Sequence, residues 1–337
     1  MPAHIENRPE QALSSYCSIR ERSRKEVVAV LLSPTSGRYR DIMGESLEPR
    51  LVNTAVFETE RVAIGLFRCP VSYASFRNTG PADRCIVVFP RTSVWIQHEG
   101  ARPFLADPTI TTIYNRSQHY ERFAASPDGD RCEWFAVTDD LAREIAATVD
   151  ETSRDAERPF RSSWATATIE LYLRQRALFR RACTSRLDAL GAEEEVIAIV
   201  AAVLGATPAR RPSSGCRRES VMRRHSDLAE AAKAELQRTL GENRSVHDIA
   251  SSLGTSPYHL CRVFRACTGR TLHEHRTELR VRAALEMFEG SPGGPASLSR
   301  IAHTLGFSSH SHFVQAMRLR AGMTPGSARA LVSQGAE

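Results

Sequence analysis

Residues 245–265 read Ser-Val-His-Asp-Ile-Ala-Ser-Ser-Leu-Gly-Thr-Ser-Pro-Tyr-His-Leu-Cys-Arg-Val-Phe-Arg. Residues 297–318 read Ser-Leu-Ser-Arg-Ile-Ala-His-Thr-Leu-Gly-Phe-Ser-Ser-His-Ser-His-Phe-Val-Gln-Ala-Met-Arg. The second stretch repeats the first at a period of 52–53 residues. Ile249, Ala250, Leu253 and Gly254 recur as Ile301, Ala302, Leu305 and Gly306. One residue is then inserted, and Leu260, Phe264 and Gly269 recur as Phe313, Met317 and Gly322.

Each copy describes two short helices meeting at a tight turn. Alanine lets the second helix cross close over the first, and glycine supplies the left-handed residue that ends the first. Ser256 before Pro257 is an N-cap followed by proline at the first helical position. Ser245 with Asp248, and Thr271 with Glu274, fit capping boxes. Leu260 and Phe264 face inward, which leaves Tyr258, His259 and Arg262 outward. This is the plan of a helix-turn-helix, whose second helix enters the major groove of duplex DNA. One copy alone fits any helical interaction module; two aligned copies favour DNA. A longer helix over 272–289 joins them, and a rigid joint holds two probing helices for successive grooves if they lie roughly 34 Å apart.

Residues 228–331 resemble the DNA-binding domain of the AraC/XylS-type bacterial transcription regulators. The resemblance rests on Ile-Ala-x-x-Leu-Gly, Ser-Pro-Tyr-His-Leu-x-Arg-x-Phe, the second Ile-Ala-x-x-x-Gly-Phe-x-x-x-Ser-His-Phe, and Gly322-x-Thr-Pro325. It covers about a third of the chain. It implies base readers at Tyr258, Cys261 and Arg262, and at His310, Ser311, Val314 and Gln315. Arg262 suits a bidentate contact to guanine and Gln315 one to adenine. Ser256, Arg265 and Arg318 suit phosphates, which position without specifying. His259 and His312 fit either DNA contact or packing and capping. Cys261 stands where the family often has a polar reader, Gln315 where it often has Arg, and Met317 where it has an aromatic anchor. The resemblance further implies a homodimer, RNA polymerase as partner for an activator, a small-molecule effector, and no cofactor or catalytic activity.

Working outward, charge follows the same division. Residues 1–205 hold 26 Lys+Arg against 28 Asp+Glu, whereas 206–337 hold 19 against 11. The whole positive excess therefore lies in the back third, as a module facing a polyanion requires. Residues 206–224, rich in Arg, Pro and Ser, read as a linker. The first 26 residues read as a poorly ordered start, and 27–32 as a short strand. Residues 85–89, 93–97, 109–114 and 132–137 read as short strands between turn residues, as in a small barrel. Helices follow over 138–149, 161–182 and 192–204. The expected fold is α+β: a cupin-like sensory and dimerisation domain over 27–205, and an all-α double helix-turn-helix domain over 228–331.

The front half raises one alternative, a cupin-type metalloenzyme tethered to DNA. Such a centre needs His-x-His with a following Glu and a further His. Only His98-Glu99 and His119 with Glu121 occur, so isolated structural histidines are expected. Trp95, Tyr114, Tyr120, Phe123 and Trp134 are core residues or line a ligand pocket. Cys85 and Cys132 sit in strand text, where buried thiols act as small hydrophobes; the alternative is a redox switch there or at Cys216 among arginines. The eight Cys show no CxxC pair. The longest near-continuous apolar stretch, 196–206, is 11 residues, short of the ~20 that span a bilayer. With no leader pattern either, a cytoplasmic protein is expected.

Overall fold

A computed structural model describes residues 51–78, 80–184, 187–207, 216–289 and 298–334, all within the unit Thr35–Glu337. The expected start over 1–26, the strand at 27–32 and linker residues 208–215 lie outside the described residues.

The front half of the described chain holds nine strands: β1 Val52–Glu58, β2 Val62–Cys69, β3 Cys85–Pro90, β4 Val94–His98, β5 Phe104–Ala106, β6 Ile110–Tyr114, β7 Tyr120–Ala124, β8 Asp130–Val137 and β9 Trp164–Thr166. They form a six-stranded sheet ordered β1-β2-β8-β3-β6-β9 and a three-stranded sheet ordered β5-β4-β7. Every described pair is antiparallel. Strand alternation then builds two cores. Val88 and Cys132 join Val94, Ile96, Phe104 and Tyr114 in one cluster. Val87, Phe89, Phe135 and Val137 join the apolar stripes of three helices in the other.

Those helices are α1 Asp139–Val149, α2 Ile169–Cys183 and α3 Ala189–Gly205. The expectation of a helix from residue 161 is corrected here. Trp164–Thr166 pairs with Ile110–Thr112 as an edge strand. The helix begins only where the Thr168 hydroxyl accepts the Leu171 N–H at 3.2 Å. Asp188 likewise caps α3 through the Gly191 N–H.

The back half is all helical: α4 Cys216–Arg238, α5 Val246–Ser252, α6 Pro257–Thr268, α7 Leu272–Glu289, α8 Leu298–Thr304, α9 His310–Ala321 and α10 Pro325–Gln334. From Cys216 onward the sequence expected as linker is therefore helix. The stripe Ala229, Ala232 and Leu236 buries α4 against α5 and α6, and the helix extends upstream from it. A second cluster joins α7, α8 and α9 through Leu285, Phe288, Ile301, Phe313 and Met317. The chain is thus α+β, a β-rich domain with helices followed by two helix-turn-helix units.

Candidate nucleic-acid interface

The first unit turns at Gly254, φ +63°. Ser256 then caps α6, accepting the His259 N–H at 3.3 Å, with Pro257 in the first turn. Gly269 in the left-handed region ends the helix. Leu260, Val263 and Phe264 are buried. Tyr258 is 80% exposed, and Cys261, Arg262 and Arg265 are exposed with it. His259 is half-buried, its Nδ1 3.4 Å from Arg262 Nη2 and its ring 5.6 Å from that of His225 on α4.

The second unit turns at Gly306, φ +73°. Ser309 caps α9, accepting the His312 N–H at 3.1 Å. Phe313, Ala316 and Met317 are buried, so Met317 fills the anchor position inside the core. His310, Ser311, Gln315 and Arg318 are exposed and Val314 is half-buried. His312 turns back: its Nδ1 lies 3.0 Å from Ser308 Oγ and its ring stands edge-on to Phe307. Nine of the eleven candidate DNA-contacting residues are thus exposed on or at the start of these two helices, and His259 and Val314 are half-buried.

Neither α6 nor α9 contains an acidic residue. Four carboxylates of this half are engaged on other helices. Asp248 and Glu274 close capping boxes with Ser245 and Thr271. Hydrogen bonds from those partners hold both carboxyls below their ordinary values. Glu235 pairs with Arg238 and Arg244, and Glu278 with Arg282. The outward faces therefore present only Arg and His charge, which suits a phosphate-lined groove.

The front domain meets α4, α7 and the buried side of α9 rather than those faces. Arg282 is 1% exposed. It donates to the carbonyls of Pro108 and, at 2.6 Å, Ala167, and to Glu278 at 2.8 Å. Glu230 accepts the Leu105 N–H at 2.7 Å and pairs with Lys233 at the same distance. His275 Nε2 lies 3.5 Å from Asp107 Oδ2. Burial pushes the Asp107 carboxyl up, but His275, Lys233 and Thr109 outweigh it and hold the group low. Tyr172 donates to Glu286, which also meets Arg91. Ile169 and Tyr172 of α2 complete the apolar core of the second unit.

The other singled-out residues are not brought together. His98 is buried, bonded through Nδ1 to Gln118 and with its ring tilted against that of Tyr114, which in turn meets Tyr120. Burial pulls its imidazole down to about 4. Trp95 faces Phe123 across the β4–β7 pair. Trp134 lies over Gly65, its Nε1 donating to Asn53. His119 is exposed. Among the described residues no group of three His, Cys, Asp or Glu is placed to hold a metal, and no helix is long and apolar enough to cross a membrane. Burial raises the Cys85 thiol to about 11 and also raises that of Cys132 well above its ordinary value, so both behave as apolar side chains. The side chain of Cys216 lies outside the described residues. Residues that sequence reading does not single out are His225 beside His259, and Arg280 and Arg282 on α7. Arginine in mid-helix reads as solvent-facing, and only contacts from distant elements reveal otherwise.

Residues 249–330 match the family described as a helix-turn-helix domain, which defines the class of the C-terminal module. Over 81 residues the chain is 38% identical to the HTH-type transcriptional regulator GlxA of Rhizobium meliloti (strain 1021), covering 24% of each protein. The chain thus spans about a quarter of the length of that curated relative. A crystal structure of a DNA-binding transcriptional dual regulator from Escherichia coli K-12 aligns with 32% of this chain and 93% of its own, at 24% identity and a TM-score of 0.29. ToxT from Vibrio cholerae, solved with an unsaturated fatty acid bound, aligns with 81% of this chain and 96% of its own, at 10% identity and a TM-score of 0.32.

Proposed function

We propose that this protein is a sequence-specific DNA-binding transcription regulator that inserts α6 and α9 into successive major grooves. One observation carries the reading: two capped helices of one repeat, without a single acidic residue, keep their outward sides exposed while the front domain docks on α4 and α7. In this reading Tyr258, Cys261, Arg262, His310, Ser311, Val314 and Gln315 meet base edges, with His259 beside them. Ser256, Arg265 and Arg318 meet phosphates. The front domain is regulatory. An effector would act through its different affinity for two arrangements of front and back, transmitted by the contacts on α4 and α7. A second copy of the chain, RNA polymerase and a small-molecule effector belong to the reading through family resemblance.

The test is selection from a pool of random duplexes by the full chain. Enrichment of a defined sequence supports the reading. Retention of all duplexes alike, or of none, contradicts it and leaves the helical pairs as a protein-interaction module.

A further inference from the structure

The helix between the two reading units carries Arg276 and Arg280 one turn apart. Arg276 donates to the Arg244 carbonyl at 2.8 Å. Arg280 is 4% exposed. Its Nε donates to the Leu240 carbonyl and its Nη2 to the Glu242 carbonyl, both at 2.9 Å. Asn243 Oδ1 lies 3.4 Å away. These acceptors belong to the turn that leads into the first unit. The same guanidinium also touches the second unit. It sits 5.7 Å over the Phe307 ring, and a Cβ added at Gly306 would fall 2.5 Å from Nη2.

The two turns meet directly as well. A Cβ at Gly306 would lie 2.6 Å from the Gly241 carbonyl oxygen, and one at Gly241 would lie 2.7 Å from that of Thr304. Two glycines therefore let backbone pack on backbone, and one guanidinium bridges the seam. Its planar fork reaches two carbonyls at once, which a lysine ammonium on a flexible stem does not reproduce. Burial, and then Arg276, bring its pKa to about 10, so it stays charged at neutral pH.

We infer that Arg280 is a positioning residue for two-groove reading: by tying the 240–244 turn to the 304–307 turn, it sets which half-site spacing the protein accepts. The inference rests on the double reading proposed above. A stiff joint gives the second helix a high effective concentration at one spacing and little at others, and a loose joint spreads it.

The test uses the full chain, its selected duplex, a duplex holding one half-site, and a duplex with one base pair inserted between the halves. Insertion turns one half by about 35° and shifts it by about 3.4 Å. Wild type should lose about tenfold or more in affinity on insertion. Arg280→Met and Arg280→Lys should bind the single half-site within about threefold of wild type. They should also lose roughly tenfold on the intact site, and less than about threefold more on insertion. Variants that keep the wild-type spacing penalty overturn the inference. So does failure of both variants to melt cooperatively, since Arg280 would then be a core residue and nothing more. If wild type enriches no duplex, the double reading itself fails and the inference goes with it.

Discussion

Arg262 stands exposed on α6 beside His259, and the proposed reading assigns it to a guanine. A bidentate contact to guanine is worth about 1–3 kcal/mol of discrimination. Arg262→Ala should lose that amount at one base pair and little elsewhere, measured as affinities on a panel of single-pair variants of the selected site. Equal weakening on every sequence would make Arg262 a phosphate contact. Arg265 and Arg318 carry the opposite expectation. Either change to Ala should lower the slope of log K against log salt by about 1 and leave base preference intact. An unchanged slope removes them from the phosphate contacts. In the front domain His98 supplies a pH signature. Its folded value near 4 lies below the ordinary 6.5, so between the two the unfolded chain takes up a proton that the folded chain refuses. Its contribution to stability is full above pH 6.5 and falls as pH drops toward 4, by about 2 kcal/mol at pH 5. Denaturant melts should show a shallower loss over that window for His98→Gln than for wild type. Equal slopes would place the ring in water.

At the scale of elements, the two turns differ in what they demand of glycine. Gly254 and Gly306 both hold positive φ, but nothing lies within 4 Å of a Cβ at Gly254, whereas one at Gly306 meets the Gly241 backbone. Gly254→Ala should cost about 1 kcal/mol, the left-handed penalty alone. Gly306→Ala should cost clearly more, because backbone must move. Urea denaturation of both variants checks the order, and equal costs would mean the seam between the turns is loose. These elements are legible in sequence because their signals are local: Ser256 before Pro257, Ser245 with Asp248, and glycine three or four residues before each second helix. Trp164–Thr166 is not legible, because three residues are too few to show a period of two, and their strand character comes from pairing with Ile110–Thr112. Nor is the upstream extension of α4, where arginine and serine mask helix continuity. On the candidate interface, outwardness follows from 3.6-residue spacing. Arg280 and Arg282 escape that logic, since carbonyls and aromatic rings from sequence-distant elements cover them.

At the scale of the whole molecule, α7 is shared. One set of its arginines ties the reading units together, and Arg282, with Glu278, Glu286 and His275, receives the front domain. Arg282→Met strands a buried carboxylate at Glu278, an effect of about 3–5 kcal/mol in such settings. Denaturant unfolding should show a loss of that size, partly restored by adding Glu278→Met. A loss under about 1 kcal/mol would mean that water reaches the contact and that the front domain is only loosely docked. The account as a whole stands on both reading helices meeting one duplex together. Hydroxyl-radical footprinting of the full chain on its selected site measures this directly. The account predicts two protected blocks on one face of the helix, about 10 base pairs apart. A single block, or two blocks on opposite faces, would contradict it.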